Sequence, residues 1–163
     1  MKPGIPCLFV LGLVIGTLSA ADASAAPKNG QKFGNWLVRC AKDVKDDCVL
    51  VQTQVVDGGA RLIEFSVGKV GTKGEFGGIA MLPLGLHIPS GVILVVDGKQ
   101  LPMTLLKCTQ DGCQAVVPLD KANADGLGKA RQILVGMVDE FTRKTVTIPV
   151  STDGLPDGMA AMK

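Results

Sequence analysis

Along most of the chain, apolar and polar residues alternate one for one, which is the pattern of half-buried strands and not of helices. Trp36, Val38 and Cys40 alternate with Leu37 and Arg39, predicting a strand over 36–40. Residues 48–56 resume a β-rich run with Val49, Val51, Thr53 and Val55 on one side, and Asp57-Gly58-Gly59 then turns the chain. Ile63, Phe65 and Val67 alternate with Leu62, Glu64 and Ser66 over 61–67, and Gly71 and Gly74 mark the next turn. Residues 78–96 are the most apolar stretch beyond the N-terminus, yet Pro83, Gly85, Pro89 and Gly91 interrupt it. Two prolines would break a membrane helix and leave backbone groups unpaired in lipid. The stretch therefore predicts two buried strands, 79–83 and 92–96, joined by a shaped loop.

Asp97-Gly98 and Asp111-Gly112 are hairpin signals that link 92–96, 103–108 and 113–117. Residues 119–129 form the helix candidate, weakened by Gly126 and Gly128. Residues 132–138 and 145–150 read as final strands connected through 139–143, and 156–162 as a helical turn. About eight short strands without helix–strand alternation predict an all-β antiparallel sandwich or barrel.

The first residues do not follow this pattern. Lys2 is followed by an uncharged apolar run to Leu18 and an Ala23-Ser24-Ala25 site, the layout of a cleaved export signal. The run is shorter than the roughly 20 residues a bilayer span requires, so no transmembrane span is expected after cleavage. Residues 1–25 are the expected signal, 26–32 a flexible polar leader and 33–163 one domain. Cys7 leaves with the signal, and Cys40, Cys48, Cys108 and Cys113 remain. An exported chain with an even cysteine count is expected to form disulfides. Cys108 and Cys113 flank a predicted hairpin tip, and Cys40 and Cys48 flank a loop between strands. Local bridges would contribute about 2–2.5 kcal/mol each and crossed bridges near 4, by the chain-entropy estimate. Bridge geometry favours the local pairing, because strain forfeits the entropic gain.

Charge and composition narrow the function mainly by exclusion. Seventeen basic and fifteen acidic residues nearly balance, and no basic run suggests nucleic acid. The cysteine spacing fits neither a structural zinc site nor a C-x-x-C redox centre. Asp43, Asp46 and Asp47 lack the spacing of a calcium loop. Gly71, Gly74, Gly77 and Gly78 do not form a phosphate-cradling loop. His87 is the sole histidine, with Ser90 and Asp97 near it in sequence. A triad is recognised by geometry and not by sequence proximity, and no nucleophile-elbow pattern surrounds Ser90. Neither a cofactor nor an enzymatic activity is expected.

The remaining candidate is the loop Leu82, Pro83, Leu84, Gly85, Leu86, His87, Ile88 and Pro89. Proline and glycine keep its apolar residues out of regular pairing, so they either cap one end of the core or form an exposed contact surface. The loop could also serve as the mouth of a ligand cavity between the sheets.

The chain resembles the invasion-associated locus B proteins in Phe33-Gly34-Asn35-Trp36-Leu37-Val38-Arg39-Cys40, with Cys48 and Gln52 following. The likeness continues in Leu82-Pro83-Leu84-Gly85, Pro89, Gly91, Asp97-Gly98, Cys108, Gly112-Cys113, Ser151 and Gly154-Leu155. It spans roughly residues 31–160. It implies an immunoglobulin-like β-sandwich with disulfides, placed in the periplasm, at the outer membrane or outside the cell. It also implies an association with host-cell invasion, notably of red cells, in pathogenic members. The chain itself is expected to act by contact with a protein partner at the envelope or host surface, or else as a general envelope protein without a virulence role. Leu155 stands where the family commonly has phenylalanine, which implies a shorter terminal helix.

Overall fold

The computed structural model describes Met1 and residues 27–42, 47–70 and 74–162. The expected export segment after Met1, Asp43, Asp46 and Gly71 lie outside the described residues. Ten strands and two short helices follow in order: β1 Lys32–Phe33, β2 Trp36–Cys40, β3 Cys48–Val55, β4 Arg61–Val70, β5 Glu75–Leu82, β6 Val92–Val96, β7 Lys99–Thr109, β8 Gly112–Leu119, α1 Lys121–Leu127, β9 Ile133–Val138, β10 Thr145–Val150 and α2 Leu155–Ala161.

Every strand pairing is antiparallel, in the order β1-β2-β3-β4-β5-β8-β7-β6-β9-β10. β7 makes this array a sandwich. Its residues 99–103 pair with β6, and its residues 104–109 pair with β8. Pro102 lies opposite Ile93, in the half of β7 that has a strand on one side only, where a missing N–H is tolerated. Trp36, Val38, Leu50, Phe65 and Val67 from one layer meet Val92, Leu94, Val135, Ile148 and Val150 from the other in a single core. Trp36 packs edge-on against Phe65 with ring centroids 6.3 Å apart. The fold is thus the immunoglobulin-like, disulfide-bridged antiparallel sandwich expected.

The strand count exceeds the eight expected. β1 is two residues long, too short to show alternation, and forms only because a tight turn at Gly34-Asn35 folds it onto β2. Residues 28–31, read from sequence as part of the leader, continue that contact. Gly30 N–H donates to Val38 O, Val38 N–H to Gln31 O, and Cys40 N–H to Asn29 Oδ1. They cover the outer edge of β2, which would otherwise expose unpaired backbone groups. α1 falls within the expected helical segment and is capped by Asp120, whose Oδ1 accepts from Asn123 N–H at 2.7 Å.

The two layers are also joined along a polar seam. On β3, Leu50 and Gln52 face the core, and Gln52 is 6% exposed. Its Oε1 accepts from Ser151 N–H at 2.8 Å and its Nε2 donates to Ser151 O at 3.4 Å. Trp36 Nε1 donates to the same carbonyl at 3.0 Å, and Gln54 Nε2 donates to Pro149 O. Side-chain amides thereby satisfy the backbone at the end of β10 that no strand pairs. Gly154, at φ +80°, lies directly against the Phe33 carbonyl, where any Cβ would collide. The final helix is thereby docked on the β1–β2 turn.

Candidate functional site

The loop from Leu82 to Pro89 is built rigidly. Leu82 ends β5 opposite Cys113, whose disulfide to Cys108 closes the β7–β8 hairpin. Gly112, at φ +125°, places no side chain where a Cβ would strike the Leu82 carbonyl. Further on, Gly85 O accepts from Glu140 N–H at 2.7 Å, and His87 N–H donates to Val138 O at 2.7 Å. Leu86 and Asp139 form a backbone bridge between those two bonds. The loop is therefore strapped to the turn between β9 and β10. That turn is itself fixed by Asp139, whose Oδ1 accepts from Thr142 N–H at 2.6 Å, Thr142 Oγ at 2.7 Å and Phe141 N–H at 3.1 Å. The backbone bond from Thr142, then its hydroxyl, holds the Asp139 carboxyl below the ordinary carboxylate range. Glu140 and Arg143 pair at 3.1 Å.

This scaffold separates the apolar residues of the loop into two sets. Leu82 and Leu86 are buried and cap the core. Leu84 and Ile88 are each 56% exposed. Phe141, at the tip of the strapped turn, is 86% exposed, and its ring edge lies 3.5 Å from where a Gly85 Cβ would stand. The two readings of the loop thus apply to different residues, with Leu86 a core cap and Leu84 and Ile88 exposed. Phe141 is the residue that sequence reasoning missed, since its neighbours spell an ordinary polar turn. An isolated aromatic among Asp139, Glu140, Thr142 and Arg143, in a chain with five phenylalanines, one tryptophan and no tyrosine, was the available signal.

His87 and Ser90 do meet, Nδ1 to Oγ at 2.7 Å, across a 3₁₀ turn at Ile88–Ser90. Asp97 is absent from this pair. It sits at the far end of β6, about 20 Å away at roughly 3.3 Å per residue. There its carboxylate accepts from the N–H groups of Gln132 at 2.9 Å and Arg131 at 3.1 Å. Asp97 and Gly98 carry φ of 46° and 85°, as a type I′ hairpin turn requires.

The cysteines pair locally. Cys40–Cys48 and Cys108–Cys113 are bridged, each between residues directly opposite in neighbouring strands. They staple opposite ends of one layer. An apolar groove of about 550 Å³ lies away from the loop, lined by Phe76, Leu119, Ala124 and Met159 among others. It runs between α1, α2 and the start of β5. Among the described residues no helix is long and apolar enough to cross a membrane.

These features define a disulfide-stapled β-sandwich that matures outside the cytosol, with a rigid apolar loop end. The model of the invasion associated locus B (IalB) protein family matches residues 36–163, and the chain belongs to that family. Invasion protein B homologs of Brucella abortus strains 2308 and biovar 1 strain 9-941 are each 27% identical over 154 residues, covering 88% of this chain and 88% of theirs. The crystal structure of invasion associated protein B from Bartonella henselae superposes with a TM-score of 0.71 at 18% identity, over 81% of this chain and 94% of that one. At that identity the superposition establishes the fold.

Proposed function

We propose that the protein is an exported envelope or secreted protein that acts without enzymatic chemistry, by presenting its loop end to a protein partner. The observation that carries this reading is the joint exposure of Leu84, Ile88 and Phe141 on segments held by backbone bonds. Preorganised apolar contacts of this kind bind with little ordering cost. The names of the relatives support a link to invasion, and on this reading the invaded cells are host cells, red cells among them, with the partner on the envelope or the host surface. Separation of Asp97 from His87 and Ser90 argues for contact over catalysis.

A photo-crosslinking amino acid at position 141, compared with one at Thr53 on the outer face of the first layer, tests the proposal in the producing cells. Position 141 is expected to give a discrete adduct in the envelope or secreted fraction, diminished by Leu84→Ser with Ile88→Ser. Equal adducts from both positions, or cytosolic protein, would overturn it.

A further inference from the structure

β10 is the outer strand of its layer and pairs with β9 alone. In an antiparallel pair, successive residues turn their backbone groups alternately toward the neighbouring strand and away from it. Lys144 O accepts from Asp139 N–H, which sets the even-numbered residues of β10 toward β9. The odd-numbered residues face outward. Ser151 is met there by Gln52 and Pro149 O by Gln54, and proline has no N–H. Thr145 and Thr147 are exposed, and among the described residues nothing bonds their outward N–H and C=O groups. Other edges carry blunting devices. Residues 28–31 cover β2, Pro102 interrupts one half of β7, and a register shift between Leu105 and Lys107 breaks the other half. Thr145-Val146-Thr147 has no such device. The shape of this open window restricts what can pair with it. At one end the chain turns back toward β9 through Arg143, at φ 57°. At the other end the Gln54 and Gln52 side chains of β3 lie against β10. A long strand laid along β10 would run into those side chains. A strand that turns away just before the window avoids them, and β10 is itself such a strand.

We propose that this window pairs with the same window of a second copy of the chain, antiparallel about a two-fold axis at Val146. Thr145 then exchanges both backbone bonds with the copy's Thr147, and Thr147 does the same with the copy's Thr145. Val146, 40% exposed, lies directly across from its counterpart and is covered by it. Lys144 falls opposite Ile148 of the copy, so no like charges meet across the pair. Beyond Lys144 each chain turns toward its own β9 and clears the other's seam at Pro149. The contact is isologous and therefore closes as a dimer. The loop end lies across β9 from this edge, where His87 N–H bonds Val138 O, so the dimer stands apart from the reading above.

Sedimentation of the purified exported protein, from about 10 μM to about 1 mM, tests the proposal. The mass is expected to rise with concentration from monomer to dimer and to stop there. Thr147→Pro removes an outward N–H and no bond to β9, as Pro149 already does, so the monomer should melt as the parent does. It deletes one bond from each Thr145–Thr147 pair and should weaken the dimer about thirtyfold. Val146→Cys gives a second readout that does not depend on that variant. It should form a disulfide-linked dimer joined at position 146, whereas Gln100→Cys, on β7 at the opposite edge of the same layer, should not. A protein that stays monomeric at about 1 mM, a Thr147→Pro protein that dimerises like the parent, or equal linkage from both cysteines would each overturn the proposal. None of these outcomes bears on the crosslinking result at position 141.

Discussion

Replacing Gln52 by methionine isolates the seam between the layers. The substitution keeps an unbranched side chain of similar length in a site that is 6% exposed, so it opens little cavity. It removes the 2.8 Å bond from Ser151 N–H, the weaker 3.4 Å bond to Ser151 O and the 3.4 Å bond from Gln54 Nε2. Ser151 O keeps the indole N–H of Trp36 at 3.0 Å, but Ser151 N–H loses its acceptor. Leaving this half-buried donor unmet costs part of the penalty of about 1–3 kcal/mol for a fully buried one. The longer bonds add a fraction of that, so a loss of about 2 kcal/mol is expected. For a domain of this size that corresponds to a melting temperature lower by about 6 °C. Urea unfolding measures the free-energy loss and thermal unfolding the shift, each followed by circular dichroism and by emission of Trp36, the chain's one tryptophan, which bonds to the same carbonyl. A Gln52→Met protein melting within about 1 °C of the parent would refute the claim that these amides hold β10 to the opposite layer.

Three further predictions concern the rest of the scaffold. Reducing agent should lower the melting temperature by several degrees, because each bridge closes a short loop worth about 2 kcal/mol; an unchanged transition would show that the bridges stabilise nothing. Gly112→Ala should cost about 1–3 kcal/mol for the positive φ alone, and the collision with Leu82 adds to it; faster amide exchange at the start of the 82–89 loop should accompany the loss, and parental behaviour would count against the anchor. Burial alone would raise the Glu64 carboxyl, yet hydrogen bonds from Arg39 and Thr53 and the Arg39 charge hold it below its ordinary range. Its contribution is therefore complete above the unfolded carboxylate value near pH 4.3 and is lost as pH falls through the lower folded value. Arg39→Met should flatten that acid-side decline by no more than about 1 kcal/mol; an identical pH profile would remove the ion pair from the account.

The parts of this fold that sequence disclosed are those where local chemistry and global structure agree. Asp97-Gly98 was legible because a two-residue hairpin needs positive φ at both positions, which aspartate and glycine supply. The local bridges were legible because each cysteine pair flanks one hairpin or loop. Elsewhere tertiary contacts overrode the pattern. β3 carries valines at 49, 51 and 55 on its outer side and turns Gln52 and Gln54 toward Ser151 and Pro149. Polarity there reports a partner about 100 positions distant, which no window along the chain reveals. β1 was hidden by its length, and Phe141 by the polar turn around it. The α1–α2 groove was hidden because its walls come from three separate segments.

The exposure at the loop end follows from the architecture and not from slack in it. A flexible loop bearing Leu84 and Ile88 would fold those side chains inward, since burying one contributes about 1.5–3 kcal/mol. Here the Leu82–Cys113 pairing, the Gly85–Glu140 bond and the His87–Val138 bond hold a backbone that Gly85, at φ +87°, and the 3₁₀ turn from Ile88 bend out of a regular strand. Leu86 takes the inward place, and Leu84 and Ile88 are left outside with Phe141 beside them. Polar residues at 84, 88 and 141 would meet the same backbone constraints without exposing apolar surface to water. The fold therefore does not need those three side chains to be apolar. The proposed contact surface does, and the rigid bonds beneath it mean that covering it would require no further ordering of the chain.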